Sequence, residues 1–286
     1  MTIYEAQQTL TQQLKNIYDT EETPGIADLV LEKITHQKRI DRLLKKDIPL
    51  SEQEELLFKK YTSELLQHRP VQYVLEEAHF YGLDFFVNEN VLIPRPETEE
   101  LVDWICKTIS QKNINDKILD IGTGSGIIPV SIKNKFPSAK VSAIDISSKA
   151  LEIAKQNAAN HHTEIGFYEM DILDEKSWHQ LNSFDIIVSN PPYIRQTEKN
   201  EMNKNVLEYE PHTALFVPDE KPLLFYETIA KFSTTHLSPK GYLFFEINEN
   251  LGQEVVAMLQ NLSFNQIELR KDFQGKDRMV KCMFKK

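Results

Sequence analysis

Apolar residues recur at helical spacing through the first 74 residues of the chain. The clearest case begins at Ser51, where Ser51 and Glu54 have the spacing of a helix capping box and apolar residues then recur every four positions as far as Leu65. Two similar patterns come before it. Residues 1–74 are therefore predicted to form a small helical bundle, a separate N-terminal domain.

Strand-forming residues replace this pattern beyond residue 78, where phenylalanine, valine and isoleucine are frequent. Asn88-Glu89-Asn90 is typical of a turn. We therefore expect residues 75–96 to be a linker that contains a β-hairpin. Pro94-Arg95-Pro96 ends the extended segment and predicts a helix immediately afterwards, over Glu97–Ser110.

Short apolar segments alternate with helical ones over residues 97–286. Such alternation predicts βαβ units, in which helices cover both faces of a parallel sheet. The last two apolar segments have no helix between them and are predicted to form an antiparallel hairpin at the sheet edge. The expected fold is α/β, a doubly wound, mostly parallel sheet of seven strands. The predicted strands are Lys117–Ile121, Val141–Asp145, Ile165–Glu169, Phe184–Ser189, Tyr242–Ile247, Asn265–Arg270 and Met279–Phe284.

The composition narrows the class of protein. Of 286 residues, 41% are hydrophobic and 27% charged, and the formal net charge of −10 favours a protein substrate over a phosphate backbone. No apolar run is long enough to span a membrane, and the N-terminus lacks the pattern of a signal peptide. With only Cys106 and Cys282, neither a disulfide framework nor a metal site is expected. We expect a cytoplasmic protein with no metal, no membrane contact and no stable nucleic-acid binding.

A glycine-rich loop follows the first predicted strand of the sheet. Its residues are Gly122, Thr123, Gly124, Ser125 and Gly126, and they stand where doubly wound sheets bind nucleotides. The spacing is G-x-G-x-G, whereas dinucleotide sites have G-x-G-x-x-G with the pyrophosphate on the helix N-terminus. A cofactor without phosphates fits the shorter pattern better, and S-adenosylmethionine is the common one. The alternative is a turn that is rich in glycine for packing reasons.

Two further acidic residues end predicted strands. Asp145 lies about 20 residues beyond the glycine loop, where a carboxylate can accept hydrogen bonds from both ribose hydroxyls of an adenosine. The alternative for Asp145 is a helix cap, although Ser147 or Ser148 can supply that instead. Asp171 beside Ile172 suits an adenine, with its amino group bonded and its ring covered. A loop aspartate beside a core isoleucine is an equal alternative.

The most specific pattern is Asn190-Pro191-Pro192-Tyr193, which follows the predicted strand that ends at Ser189. Amide and aromatic amino nitrogens are poor nucleophiles because their lone pairs are delocalised. A site that methylates one must bind both N–H hydrogens, and the side-chain oxygen of Asn190 and the backbone oxygen of Pro191 are suitable acceptors. Pro192 restricts the backbone, and Tyr193 offers a ring to stack on a planar group. These four residues are the predicted catalytic group; the alternative is a rigid turn.

The glycine loop together with Asn190–Tyr193 resembles class I S-adenosylmethionine-dependent methyltransferases. Within that class, three upstream segments resemble the release factor N(5)-glutamine methyltransferase family: Arg69–Val74, Phe80–Leu83 and Val91–Glu99. The resemblance extends through Asp277-Arg278, over nearly the whole chain.

The resemblance implies S-adenosylmethionine as the cofactor, held by Gly122–Gly126, Asp145, the Asp171–Ile172 turn and Asn190. It implies that Asn190–Tyr193 bind the target glutamine in the Gly-Gly-Gln loop of a peptide chain release factor. Residues 1–74 are then expected to dock this protein substrate, although a purely stabilising role is the alternative. We expect the enzyme to be a monomer.

Other functions remain compatible with the same motifs. The same chemistry on a ribosomal protein glutamine or on a nucleic acid base is the first alternative, although Pro96–Glu99 favours the release factor branch. A dinucleotide-dependent oxidoreductase is the second, and the glycine spacing opposes it. A binding module that has kept the fold without catalysis is the third.

Overall fold

The structure, a computed structural model, describes residues 1–110 and 117–284. The chain forms two compact units. One consists of Met1–Glu77 together with Asn203–Tyr209, and the other contains the rest of the described chain. The sequence did not anticipate that residues 203–209 belong with the helical unit. The predicted domain boundaries at residues 74 and 96 remain predictions.

The first unit is a bundle of helices around one apolar core. The capping box predicted at Ser51 is present, because its hydroxyl accepts from the Glu54 N–H at 3.3 Å and its own N–H donates to the Glu54 carboxylate at 2.7 Å. The core combines side chains from α1, α2, α4 and α5, including Leu10, Val30 and Leu65. The helices of this unit are α1 (Ile3–Leu14), α2 (Thr23–Thr35), α3 (Arg39–Leu44), α4 (Glu52–Leu65), α5 (Val71–Leu75) and, much later in the chain, α9 (Lys204–Tyr209).

A short β-hairpin opens the second unit, with its turn at a different place from the predicted one. Strands β1 (Ala78–Phe80) and β2 (Leu83–Phe85) pair around Tyr81 and Gly82, whose φ angles are 50° and 79°. Two consecutive residues with positive φ give the tight turn that matches the twist of hairpin strands. The predicted turn at Asn88–Asn90 is present, since the Val91 N–H donates to the Asn88 oxygen at 3.1 Å, but it lies beyond the hairpin and joins no strands.

A seven-stranded sheet forms the centre of the second unit, as predicted. The strand order is β10-β11-β9-β6-β3-β4-β5, with the five strands from β9 to β5 parallel and β11 and β10 antiparallel at one edge. In chain order the remaining strands are β3 (Lys117–Ile121), β4 (Lys140–Asp145), β5 (Ile165–Glu169), β6 (Phe184–Ser189), β7 (Ile194–Arg195), β8 (Phe216–Val217), β9 (Leu237–Glu246), β10 (Phe264–Lys271) and β11 (Asp277–Phe284).

Helices cover both faces of the sheet, which buries the strands on both sides. Side chains of α6, α7 and α8 pack on one face, and those of α11 and α12 pack on the other. The strand order reverses at β3, because β4 and β5 lie on one side of it and β6 and β9 on the other, so the carboxyl ends of the parallel strands β3 and β6 flank a crevice. The helices of this unit are α6 (Pro96–Ser110), α7 (Ile127–Lys135), α8 (Ser148–Asn160), α10 (His212–Leu215), α11 (Leu224–His236) and α12 (Gly252–Asn261), with 3-10 turns at Glu175–Gln180 and Gln196–Glu201.

Asn157 of α8 forms hydrogen bonds both to Phe86, which follows the hairpin, and to Ser125 of the glycine-rich loop. Its side chain is fully buried; its amide donates to the backbone oxygens of Phe86 and Ser125 at 2.9 Å each, and its oxygen accepts from the Phe86 N–H at 2.8 Å. One side chain therefore satisfies three buried backbone groups on two separate segments.

Replacing Asn157 by alanine should lower the free energy of unfolding by about 2–4 kcal/mol, because three buried backbone groups lose their partner. Chemical denaturation followed by circular dichroism measures this loss. The control is Asn160→Ala at the exposed end of the same helix, which should change stability by less than about 0.5 kcal/mol. Equal effects of the two substitutions would contradict the role given to Asn157.

Candidate active site

A cavity of about 340 Å³ lies at the carboxyl ends of β3, β4 and β6. This size is within the range of small-molecule sites, about 300–1,000 Å³. The predicted site residues that line the cavity are Gly122, Gly124, Asp145, Asp171, Ile172, Asn190, Pro191 and Pro192. Four other predicted residues do not line it: Thr123, Ser125, Gly126 and Tyr193.

The glycine-rich loop turns sharply between β3 and α7. Gly122, Gly124 and Gly126 all have positive φ, of 75°, 54° and 80°, a conformation that other residues adopt only with strain. A Cβ on Gly122 or Gly124 would meet no protein atom within 4 Å, so the backbone there is open to the cavity. A Cβ on Gly126 would lie 3.0 Å from the Cβ of Ala154, so this glycine allows the loop to pack on α8.

Four of the five N–H groups of this loop are already used within the protein. Those of Gly122 and Thr123 donate to the Ile144 oxygen, that of Gly124 to the Asp145 carboxylate, and that of Gly126 to the Thr123 oxygen. A phosphate-binding loop needs such groups free to point at the ligand. The hydrogen bonding therefore favours a ligand without phosphates, which agrees with the G-x-G-x-G spacing.

Asp145 is held at the end of β4 by backbone groups. Its Oδ2 accepts from the Gly124 N–H at 2.8 Å and its Oδ1 from the Ser147 N–H at 2.9 Å. Burial raises the pKa of the Asp145 carboxyl, and these N–H groups oppose that effect. The cap of α8 is supplied by Ser147, whose hydroxyl accepts from the Ala150 N–H. Asp145 therefore has remaining lone pairs for hydroxyl donors in the cavity.

Apolar side chains form the wall of the cavity next to Asp145. Ile172 lines it, and Asp171 beside it accepts from the Leu173 N–H at 2.9 Å. Ile146 also lines the cavity and is 60% exposed to solvent. The sequence prediction missed Ile146, although its position immediately after the acid that ends β4 was a usable signal.

Asn190 and Pro191 enter the cavity from the end of β6. The residue before them, Ser189, donates its hydroxyl to the Ile121 oxygen at 2.7 Å, which fixes the end of β6 against the end of β3. Tyr193 turns away into the sheet's core, where its ring packs partly buried. Asn248 then donates to the Tyr193 backbone oxygen at 3.2 Å. The stacking role assigned to Tyr193 remains a prediction.

A buried carboxylate, Glu246, lies at the end of β9 and is bonded to Tyr193 of the predicted catalytic segment, Asn190–Tyr193. It accepts from the Thr98 hydroxyl at 2.6 Å and from the Tyr193 hydroxyl at 3.4 Å. Burial raises the pKa of Glu246 to about 7, and the nearby Arg278 guanidinium opposes this shift. Burial also raises the pKa of the Tyr193 hydroxyl. The sequence prediction missed both Thr98 and Glu246.

Arg95 belongs to an ion pair rather than to an open rim. Its guanidinium donates to Glu210 at 2.6 Å, and Glu210, which is almost fully buried, also accepts from the Ile93 N–H at 3.2 Å. The charge of Arg95 compensates the burial of this carboxylate.

Across residues 1–110 and 117–284, no group of three or more histidine, cysteine, aspartate and glutamate side chains is arranged to hold a metal ion. Within the same residues, no helix is long and apolar enough to cross a membrane.

Comparison with known proteins identifies the family of the chain. Two family models match: "Methyltransferase small domain" over residues 102–211 and "PrmC N-terminal domain" over residues 5–75. The chain is 48% identical to the release factor glutamine methyltransferase of Flavobacterium psychrophilum over 96% of both chains. It is 41% identical to that of Bacteroides thetaiotaomicron, over 95% of this chain and 96% of the other.

The chain belongs to the release factor glutamine methyltransferase family.

A solved structure shares the fold of this family member without close sequence similarity. The hMettl16 catalytic domain, solved in complex with the MAT2A 3′UTR hairpin 6, superimposes with a TM-score of 0.55 at 14% identity, over 82% of each chain. At that identity the likeness concerns the fold alone. The fold is that of the class I methyltransferases, with a helical N-terminal unit added, as the sequence predicted.

Asp120, in β3 of this methyltransferase, is fully buried, and neither carboxylate oxygen has a hydrogen-bond partner in the described structure. Burial raises its pKa from 3.8 to about 7. The folded protein therefore holds a proton that the unfolded chain releases near pH 4. The stabilising contribution of this proton is complete below the unfolded pKa and is lost as the pH rises through 7.

The variant Asp120→Asn is neutral at every pH at this position, so its stability should not fall with the deprotonation of residue 120. From pH 5 to pH 8 its free energy of unfolding should rise relative to the wild type by on the order of 1–4 kcal/mol, at about 1.4 kcal/mol per pKa unit. Urea titrations of both proteins across this pH range measure the difference in free energy of unfolding. The contributions of other titrating groups are the same in both proteins and cancel in this difference. Parallel pH profiles would contradict the raised pKa.

Proposed function

We propose that this protein transfers a methyl group from S-adenosylmethionine to the side-chain amide nitrogen of glutamine in the Gly-Gly-Gln loop of a peptide chain release factor. The observation that carries the proposal is the position of Asn190 and Pro191, which present oxygen acceptors in a cavity next to a glycine loop with no free phosphate cradle. Membership of the family supports the choice of substrate.

The residues of the cavity fit S-adenosylmethionine. Asp145 has lone pairs for the ribose hydroxyls, and Ile146 and Ile172 offer apolar surfaces for the adenine ring beside the Asp171 carboxylate. The backbone at Gly122 and Gly124 is open to the cavity, which leaves room for the methionine part of the cofactor. When bound, this cofactor supplies a methyl group on a sulfonium, which is a strong electrophile.

The task of the protein is to make a weak nucleophile react. The side-chain oxygen of Asn190 and the backbone oxygen of Pro191 accept the two N–H hydrogens of the glutamine amide, which directs the nitrogen lone pair into the cavity. The same two oxygens stabilise the positive charge that develops on nitrogen, and they are held in place before the reaction. The alkylated amide is acidic and releases its proton to solvent, so no strong base is needed.

Transfer of labelled methyl from S-adenosylmethionine tests the function. The substrates are purified release factor, the same factor with the Gly-Gly-Gln glutamine changed to alanine, ribosomal protein and nucleic acid. Label on the intact release factor alone, reduced at least about 100-fold by Asn190→Ala, is the expected result. Label on ribosomal protein or nucleic acid would overturn the substrate, and no transfer by a protein that binds the cofactor would overturn the activity.

The affinity for cofactor should depend on the charge of Asp145. Asp145→Asn replaces one acceptor oxygen with a donor, and we expect the dissociation constant of S-adenosylmethionine to rise about 10- to 100-fold, because charge-assisted bonds to hydroxyls are lost. Isothermal titration calorimetry measures this dissociation constant. The control is Asp174→Asn, a nearby aspartate that caps a 3-10 turn and does not line the cavity. Equal affinities of both variants would contradict the assignment.

Docking of the release factor by residues 1–74 is part of the proposal. In α3, Ile40, Leu43 and Leu44 stand three and four residues apart, on one helical face, and are 65%, 55% and 80% exposed. Large apolar side chains grouped in this way on a surface favour a protein contact. The exposed lysines and arginine around them, such as Arg39 and Lys45, favour an acidic partner surface.

Leu44→Glu should therefore raise KM for the release factor about 10-fold or more, because a charge replaces an apolar contact that the proposed complex buries. The affinity for S-adenosylmethionine should stay unchanged. Steady-state methylation and calorimetry measure the two quantities. The same charge at another exposed apolar position, Tyr168→Glu in β5, should leave KM unaltered. An unchanged KM for Leu44→Glu would remove α3 from the docking surface.

The proposal also includes a cytoplasmic location, because release factors act in translation. A monomeric state and the lack of stable nucleic-acid binding remain predictions from the sequence.

A further inference from the structure

The proposed function leaves one requirement open, which is the orientation of the Asn190 side chain. An asparagine amide has an oxygen at one end and an NH2 group at the other, and the two ends have nearly the same shape. Only the oxygen can accept an N–H of the glutamine. If the amide turned over, its NH2 group would face the NH2 group of the substrate, and the acceptor would be lost.

Within the described residues, one hydrogen bond holds the inner end of this amide. The Nδ2 of Asn190 donates to the hydroxyl oxygen of Thr98, at 3.3 Å. Thr98 lies in the first turn of α6, and its side chain is 1% exposed, so water does not compete for this hydroxyl. The orientation of Asn190 therefore depends on whether the Thr98 oxygen acts as an acceptor or as a donor.

Glu246 determines the direction of that bond. The one proton of the Thr98 hydroxyl goes to Oε2 of Glu246, at 2.6 Å, which is the shorter of the two contacts. The hydroxyl then has only lone pairs for Asn190, and lone pairs attract the NH2 end and repel the oxygen end. Oε1 of Glu246 accepts from Tyr193 at 3.4 Å, so both oxygens of the carboxylate act as acceptors toward this segment.

We propose that Thr98 and Glu246 are positioning residues, which hold the Asn190 amide with its oxygen toward the glutamine through the sequence of bonds Asn190 to Thr98 to Glu246. Neither residue touches the substrate in this scheme. The inference rests on the proposed function, because the direction of the amide matters only if Asn190 accepts a substrate N–H.

A graded series at position 98 tests the inference. Thr98→Val keeps the shape and removes the hydroxyl, so kcat should fall about 10- to 100-fold while the dissociation constant of S-adenosylmethionine stays within about twofold. Thr98→Ser keeps the hydroxyl and should retain most of the wild-type kcat. The kcat of Thr98→Cys should lie between those of the serine and valine variants. Assays are run at pH 8, above the pKa of Glu246.

The matched control is Thr108→Val in the same helix. Its hydroxyl is also buried and donates to the Trp104 oxygen at 3.0 Å, away from the catalytic segment. Thermal unfolding of each variant shows whether it is folded. A similar loss of kcat in Thr108→Val, or a wild-type kcat in folded Thr98→Val, would overturn the inference. If Thr98→Val does not fold, an equal kcat for Thr98→Ser and Thr98→Cys would overturn it as well.

A double-mutant cycle separates positioning from general structural damage. If Thr98 acts through Asn190, then Thr98→Val should have little further effect on kcat, less than about twofold, in an enzyme that already carries Asn190→Ala. Independent, multiplicative losses would contradict the inference. The wild type in the same assay tests the proposed function separately: no methylation of the release factor by the wild type overturns that function, whereas an active wild type with an unaffected Thr98→Val overturns only the positioning.

Discussion

An amide nitrogen gives its lone pair to the neighbouring carbonyl, and the proposed function requires a site that is arranged around that constraint. Two oxygens must accept both N–H hydrogens at once, in fixed directions, before the nitrogen can act as a nucleophile. Pro191 offers a backbone oxygen, whose direction is fixed by the chain. Asn190 offers a side-chain oxygen, whose direction depends on the hydroxyl of Thr98 and, behind it, on the carboxylate of Glu246. The remaining features of the site can be understood as supports for these acceptors.

The supports come from parts of the chain that are far apart in sequence. Ser189 ties the end of β6 to β3, and Glu246 at the end of β9 bonds both to α6 through Thr98 and to the catalytic segment through Tyr193. A buried carboxylate is costly unless it is well bonded. Glu246 is kept in an apolar sheet because it accepts from two hydroxyls, and this arrangement makes the catalytic segment part of the core.

The cofactor side of the cavity follows a different rule. Its glycine loop uses the N–H groups of Gly122, Thr123, Gly124 and Gly126 internally, so these four groups are not free to bind a phosphate. In the proposed function, the Asp145 carboxylate and the apolar walls of the cavity recognise the cofactor. A site with one carboxylate and apolar walls suits an uncharged adenosine that carries a cationic sulfonium.

Much of this could be predicted from the sequence, because the decisive patterns are local. The strands, the glycine loop and Asn190–Tyr193 are read from consecutive residues, and the fold and the family agree with them. The hairpin turn was misplaced, since positive φ at Tyr81 cannot be read from a residue type that rarely adopts it. Thr98 and Glu246 were missed for a deeper reason: they meet across 148 residues, and only the packed sheet brings them together.

A crystal structure of the enzyme with S-adenosylhomocysteine and a release factor would test the central claim most directly. The glutamine nitrogen should lie about 3 Å from both the Asn190 side-chain oxygen and the Pro191 backbone oxygen, with the other end of the Asn190 amide on Thr98. A glutamine nitrogen bound by other groups, or an Asn190 whose side chain has left Thr98, would contradict it.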